Sequence, residues 1–217
     1  MAQHSTQIRA VGDGAIVFVV DDDQDYRDSL KALFNSVDLK VESFGSATEL
    51  LGSKLPNVVS CLVLDIRLPG LGGLDLQDEL SKANISIPVI FMTGHGDIPM
   101  SVKAMKAGAV DFLTKPFRDQ DMLDAVTVAL ERDRTRRKAA QRLTDLKSRL
   151  ERLSPREREV LALVTTGLRN KQIAFQLNVA EITVKAHRGH VMQKMGAQSL
   201  AELVKIAETL GIKSPGS

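Results

Sequence analysis

The rhythm of apolar positions changes near the middle of the chain. In the first half, short continuous apolar runs recur: AIVFVV (15–20), CLVLD (61–65), PVIFMT (88–93) and VDFLTK (110–115), with a weaker run, KVESF, at 40–44. Between them apolar residues fall three and four apart. Tyr26, Leu30, Leu33, Phe34 and Val37 share one face of a predicted helix over 25–37, and Ile98, Val102 and Met105 share one over 98–107. Strands that are apolar on both sides, alternating with amphipathic helices, predict a parallel sheet covered on both faces. The expected fold is α/β, a doubly wound five-stranded parallel sheet over 14–130, preceded by a flexible tail over 1–13.

After Pro116 the pattern is helical throughout. Met122, Leu123, Val126, Ala129 and Leu130 continue one face, and no glycine or proline interrupts before Pro155. Leu143, Leu146, Leu150 and Leu153 follow a 3-4-3 spacing, an apolar seam of two heptads. The last helix of the first unit therefore extends into a helical linker over 131–153. Its seam either pairs two chains or packs on the segment that follows. The cations Arg132, Arg134, Arg136, Arg137 and Lys138 read as a solvated helix face, with contact to a DNA backbone as the alternative.

A second domain over 154–213 reads as four helices. Ser154, Pro155 and Glu157 supply an N-cap, a first-turn proline and a capping-box acid. Val160, Leu161, Leu163 and Val164 bury that helix, and Gly167 ends it. A short helix over 170–177 turns Ile173, Ala174 and Leu177 inward. A longer one begins near Ala180, carries Val184, His187, Val191 and Met195 on one stripe, and closes at Gly196. The last, over 199–210, presents Leu200, Leu203, Val204 and Ala207. A short helix, a tight turn and a longer basic helix form the helix-turn-helix pattern. On spacing alone, a small partner-binding bundle competes with it.

Composition narrows the classes. The chain has 217 residues, 43% hydrophobic and 26% charged, ordinary for a globular protein. Its single cysteine, Cys61, excludes an internal disulfide and sits in an apolar run, where an inert core thiol is expected. The N-terminus lacks the apolar core of a secretory signal, and no run approaches a membrane span. A cytoplasmic protein without membrane contact is expected. The net charge of +2 conceals an asymmetry: residues 1–120 carry 16 acids and 11 bases, residues 121–217 carry 11 and 18. The basic half is the candidate for a polyanion.

Chemistry gathers at the strand ends. The first strand ends in Asp21, Asp22 and Asp23, the next strong one in Asp65, then Thr93, then Lys115 before Pro116. In a doubly wound sheet ligands bind beyond the carboxyl ends of the strands. Carboxylates gathered there can hold a hard divalent cation, and one of them can attack phosphorus. An ammonium and a hydroxyl can steady phosphoryl oxygens. Taken singly, each signal has a plainer reading: a solvated turn, a strand–turn, or a glycine loop with His95 on its surface. Asp23 reads as a helix-start acid.

The runs VVDDD, LVLDIRLPGLGGL, MTGHGD, AMKAGAVDF and TKPF, in this order, resemble the receiver domain of two-component response regulators. LSPREREVL, GLRNKQIAFQLNVAEITVKAHRGHVMQKM and SLAEL resemble the four-helix DNA-binding domain shared by the NarL, FixJ and LuxR regulators. Nearly the whole chain is similar to a FixJ-type response regulator. The resemblance implies that Asp65 accepts a phosphoryl group from a sensor histidine kinase. It implies that Asp21, Asp22, Asp65 and the backbone carbonyl of Arg67 hold Mg2+, for which Mn2+ can substitute. Thr93 and Lys115 would contact the phosphoryl group, and Lys115–Pro116 would be cis. Phe112 would be an aromatic switch, where plain core packing is the other reading.

In the second domain the resemblance implies that the helix over 180–195 enters the major groove of promoter DNA. Lys185, Ala186, Arg188 and Gly189 would lie on or beside its outward face, and Asn170, Lys171 and Thr183 would hold phosphates. His187 reads as a packed histidine. Leu200, Leu203, Val204 and Ala207 would form the face of a homodimer, and RNA polymerase is a further candidate partner. Ala180 departs from the serine cap of many relatives, and Gly189 inside the helix costs about 1 kcal/mol against alanine. Two other classes compete. An aspartate-nucleophile phosphatase wants a second acid where Arg67 stands. A ligand-sensing regulator wants an aromatic-rich pocketed domain, and aromatics are 4% here.

Overall fold

The computed structural model describes residues 14–94 and 98–212. The tail over 1–13, His95, the side chain of Ile98 and the domain end at 213 lie outside the described residues. The chain forms two compact units, 1–137 and 138–217.

In the first unit five parallel strands lie in the order β2-β1-β3-β4-β5, with β1 Ile16–Val20, β2 Lys40–Phe44, β3 Ser60–Asp65, β4 Val89–Thr93 and β5 Asp111–Thr114. Alternation along the strands splits the core in two. Val17, Val19, Cys61, Val63, Ile90 and Met92 pack on one face against Leu30 and Phe34 of α1 (Gln24–Asn35) and Met122, Val126 and Ala129 of α5 (Asp119–Glu151). Phe18, Val20, Leu62, Leu64 and Phe91 pack on the other face. They meet Leu50 of α2 (Ala47–Gly52), Leu76 and Leu80 of α3 (Gly73–Lys82) and Ala104 of α4 (Ile98–Lys106). β1, β3 and β4 are buried on both sides, which is why they read as unbroken apolar runs.

One helix turns differently from its expected face. Val102 and Met105 are each 47% exposed, and Ala104 is the side chain that α4 buries. At 100° per residue the core side runs through Met100, Ser101 and Ala104. The short helix is apolar on both sides, so periodicity alone points to the wrong one.

The helix α5 is 33 residues long and runs through the division between the units. The expected linker over 131–153 is therefore split. Residues 131–137 belong to the first unit, and residues 138–153 to the second. In the second unit α6 (Pro155–Val164), α7 (Asn170–Leu177), α8 (Glu181–Met195) and α9 (Leu200–Thr209) surround one core. Val160, Leu161, Ile173, Val184, Val191, Met195 and Leu203 fill it, and Leu146 and Leu153 join them. Of the two readings of the leucine seam, the chain takes the second: Leu146, Leu150 and Leu153 pack on the four-helix core that follows. Arg149 Nη1 donates to the carbonyl of Met195 at 3.1 Å, placing a cation at the carboxyl end of α8. Gly196 has φ +71°, a conformation that favours glycine, and a Cβ there would crowd the end of the Arg149 side chain.

Candidate functional sites

The strand ends meet as the sheet topology demands. Carboxylate oxygens of Asp21, Asp22 and Asp65 all lie within 4.8 Å of one another. Asp21 and Asp65 are buried and Asp22 is exposed. Lys115 Nζ donates to Asp21 Oδ2 at 2.5 Å and to Asp65 Oδ2 at 2.6 Å. Burial pushes the Asp21 carboxyl above the ordinary carboxylate range, despite its bond to Lys115. Burial alone would lower Lys115, but its bonds to the two aspartates outweigh this and hold the ammonium above its ordinary value. The second oxygen of Asp65 accepts from the backbone N–H of Arg67 at 2.8 Å, which sets residue 67 beside the carboxylate. Gly73 makes this turn possible, since a Cβ there would lie 2.5 Å from the carbonyl oxygen of Asp65.

The side chain of Asp23 lies outside this cluster, while its backbone N–H donates to Asp21 Oδ1 at 3.0 Å. The Asp23 side chain caps α1, accepting from the backbone of Asp25 at 2.9 Å and Tyr26 at 3.2 Å. Thr93 is buried at the end of β4, and its carbonyl accepts from Lys115 N at 2.7 Å. Lys115–Pro116 is cis. Phe112 is half-buried against the helix-covered face that α2, α3 and α4 share.

Two residues of this unit escape a sequence reading. The ring of Tyr26 lies under Lys115, with Nζ 4.1 Å from its centroid, and Phe117 meets the same ring edge-on at 6.0 Å. Asp133, fully buried, accepts from the backbone N–H of Ser60 at 3.1 Å and pairs with Arg136 at 2.6 Å and Arg137 at 2.5 Å. The run over 132–138 is thus not simply a solvated face, because two of its cations neutralise a carboxylate inside the first unit. The available signal was position: Asp133 continues the stripe Val126, Ala129, Leu130. Burial, with the Asp133 carboxylate as a smaller contribution, pushes the Cys61 thiol far up, so that thiol is inert.

In the second unit α8 carries its core stripe through Val184, Val191 and Met195, with His187 half-buried beside them. Glu157 completes the capping box of α6 and also receives Lys194 of α8, at 2.7 and 2.9 Å. Hydrogen bonds from Lys194 and from the Ser154 backbone hold its carboxyl down to about 2. Lys171, Lys185 and Gly189 are exposed, and Thr183 and Asn170 are half-buried. Arg188 Nη1 donates to Asn170 Oδ1 at 2.7 Å. It follows Val184 by four residues, about 40° round the helix, so its backbone position lies beside the core stripe.

The dimer residues also need correction. Leu203 and Ala207 are 1% exposed and belong, with Ile206, to the domain's own interior. Leu200, 43% exposed, and Val204, half-buried, lie on the rim of the same apolar stripe and remain accessible. Among the described residues, no helix is long and apolar enough to cross a membrane.

Comparison with known proteins agrees with this geometry. Residues 17–127 match the family described as the response regulator receiver domain, and residues 151–207 match the bacterial regulatory proteins of the luxR family. The chain is 64% identical over 200 residues to nodulation protein W of Bradyrhizobium diazoefficiens, covering 92% of this chain and 88% of that protein. It is 42% identical over 196 residues to the transcriptional regulatory protein FixJ of Azorhizobium caulinodans, covering 90% and 93%. The solved structure of the response regulator StyR superposes with a TM-score of 0.80 at 46% identity, covering 89% of this chain and 98% of that one. This is a family of transcription regulators and not of turnover enzymes, so the phosphatase alternative is set aside. The chain belongs to the two-component response regulators, in the FixJ-like group that joins a receiver to a LuxR-type DNA-binding domain.

Proposed function

We propose that this chain is a transcription factor switched by phosphorylation at Asp65. The observation that carries the reading is the meeting of Asp21, Asp22 and Asp65 within 4.8 Å beside Lys115 Nζ. An oxygen of Asp65 attacks the phosphorus of a phosphohistidine on a sensor kinase. An O–P bond forms, the P–N bond breaks, and the imidazole leaves with the electron pair. Lys115 and the Thr93 hydroxyl hold the phosphoryl oxygens. The donor set is all oxygen and, even with Lys115, net negative, which fits a hard divalent cation. Asp21, Asp22, Asp65 and the carbonyl of Arg67 would hold Mg2+, or Mn2+ in its place. The bound ion supplies charge to offset that of the phosphoryl group. On phosphorylation Thr93 shifts inward toward the phosphoryl group, and Phe112 follows it.

Phosphorylation then favours a homodimer that binds promoter DNA. The rim of α9 around Leu200 and Val204 forms the dimer face. The exposed side of α8, with Lys185 and Gly189, enters the major groove. Lys171, Asn170 and Thr183 face the phosphate backbone, with Arg188 oriented by Asn170. RNA polymerase is the partner a promoter-bound dimer would engage. Treatment with acetyl phosphate and Mg2+ should add one phosphoryl group by mass and tighten gel-shift binding to a promoter fragment. Asp65→Asn should block both while leaving the fold intact. Equal affinity before and after phosphorylation would overturn the switch.

A further inference from the structure

Ile182, in the first turn of α8, is 72% exposed. It lies opposite the core stripe of Val184, Val191 and Met195, on a line continued by Ala186 and Gly189, both exposed. Lys185 lies beside that line, also exposed, and beyond Gly189 no atom comes within 4 Å of where a Cβ would stand. Arg188 is turned to Asn170 and Thr183 is half-buried on the opposite flank, so the exposed hydrogen-bonding group beside that line in the first turns of α8 is the donor-only ammonium of Lys185. Glu181 falls off the line, toward its flank. Ile182, Ala186 and Gly189, which make the line itself, are apolar or bare.

A recognition helix reads base edges through its N-terminal residues. The one apolar group that base edges present in the major groove is the C5-methyl of thymine. We propose that Ile182 and Ala186 read two thymine methyls in each half-site, with Lys185 donating to a purine or thymine acceptor beside them. The inference rests on the DNA-binding reading above and adds the chemistry of its target. Four residues of helix rise about 6 Å, so the two methyls lie about two base pairs apart at roughly 3.4 Å each. The bare backbone at Gly189 lets the helix approach the bases.

The test starts from a random double-stranded DNA library, selected with the full chain in the presence of acetyl phosphate and Mg2+. The selected site is then rebuilt with dU for each dT in turn, which removes one methyl at a time. Two positions per half-site should each lose about fourfold in affinity, the worth of one buried carbon. Ile182→Ala should abolish the difference between dT and dU at one position and keep it at the other, and Ala186→Gly should do the reverse. The ratio within each variant cancels any general weakening of the helix, and the exposed Ile182 can be truncated without loss of thermal stability. If dU is neutral everywhere, or both ratios survive Ile182→Ala, the methyl reading is wrong and the exposed isoleucine serves a protein partner instead. If the library enriches no sequence, the DNA-binding reading fails with it.

Discussion

Lys115 carries the balance of the acidic pocket, because its single ammonium faces two buried carboxylates at 2.5 and 2.6 Å. Its position along the chain was readable: a cation at a strand end must lie with the acids at the other strand ends. What holds it was not. Tyr26 falls on the apolar stripe of α1, where a ring under a cation and a ring in a core have the same period. The ring face attracts the ammonium by roughly 0.5–2 kcal/mol, and it does so without competing for the oxygens. Tyr26→Leu should therefore slow phosphoryl uptake from acetyl phosphate by about twofold to thirtyfold at saturating Mg2+. Tyr26→Phe keeps the ring and should match the parent rate. A slow Phe variant would assign the effect to the hydroxyl and not to the ring. Asp23 needs no such partner, since it caps the helix with two backbone bonds.

At the scale of elements, periodicity located the strands and most of the described helices, α2 and α3 excepted, but could not always say which side faces in. It succeeded for β1, β3 and β4, where both sides are buried and no choice exists. It failed for α4, whose apolar residues lie on both sides, and for the α9 stripe, which the core divides between its interior and its rim. It overlooked Asp133, because a buried acid paired with arginines looks in sequence like any charged helix. Glu157 was legible as a capping acid, but its second role was not. It ties α6 to α8 through Lys194, a partner 37 residues away. Its carboxyl titrates at about 2 in the folded protein against an ordinary 4.5. A depressed acid supports folding above its unfolded value and loses that support as the pH falls toward the folded one. The DNA-binding domain should thus lose stability between about pH 4.5 and 2. Glu157→Gln should reduce this slope and cost about 2 kcal/mol at neutral pH, less than a fully enclosed pair because Lys194 can return to water. Urea titrations of both proteins across that range measure it, and parallel slopes would remove Glu157 from the account.

At the scale of the whole molecule, the question is where one unit ends and the next begins. A helix without glycine or proline carries no boundary signal, so the sequence suggests a linker where the structure assigns every residue to one side or the other. Asp133, Arg136 and Arg137 close the first unit through Ser60 and Asn57. Leu146, Leu150 and Leu153 open the second. The second unit therefore depends on residues that precede its first capped helix. Leu146 and Leu153 are 5% and 3% exposed, and each buried leucine contributes about 1.5–3 kcal/mol. Arg149 adds its contact with the end of α8. A domain of this size has only about 5–15 kcal/mol in total, so losing these residues should bring it close to unfolding. A fragment of residues 138–217 should melt cooperatively, whereas a fragment of 154–217 should melt far lower or populate an unfolded state at 25 °C. Circular dichroism melts of the two fragments distinguish the cases. Equal midpoints would mean that the leucine seam lies on the domain without supporting it, and the boundary would return to Ser154.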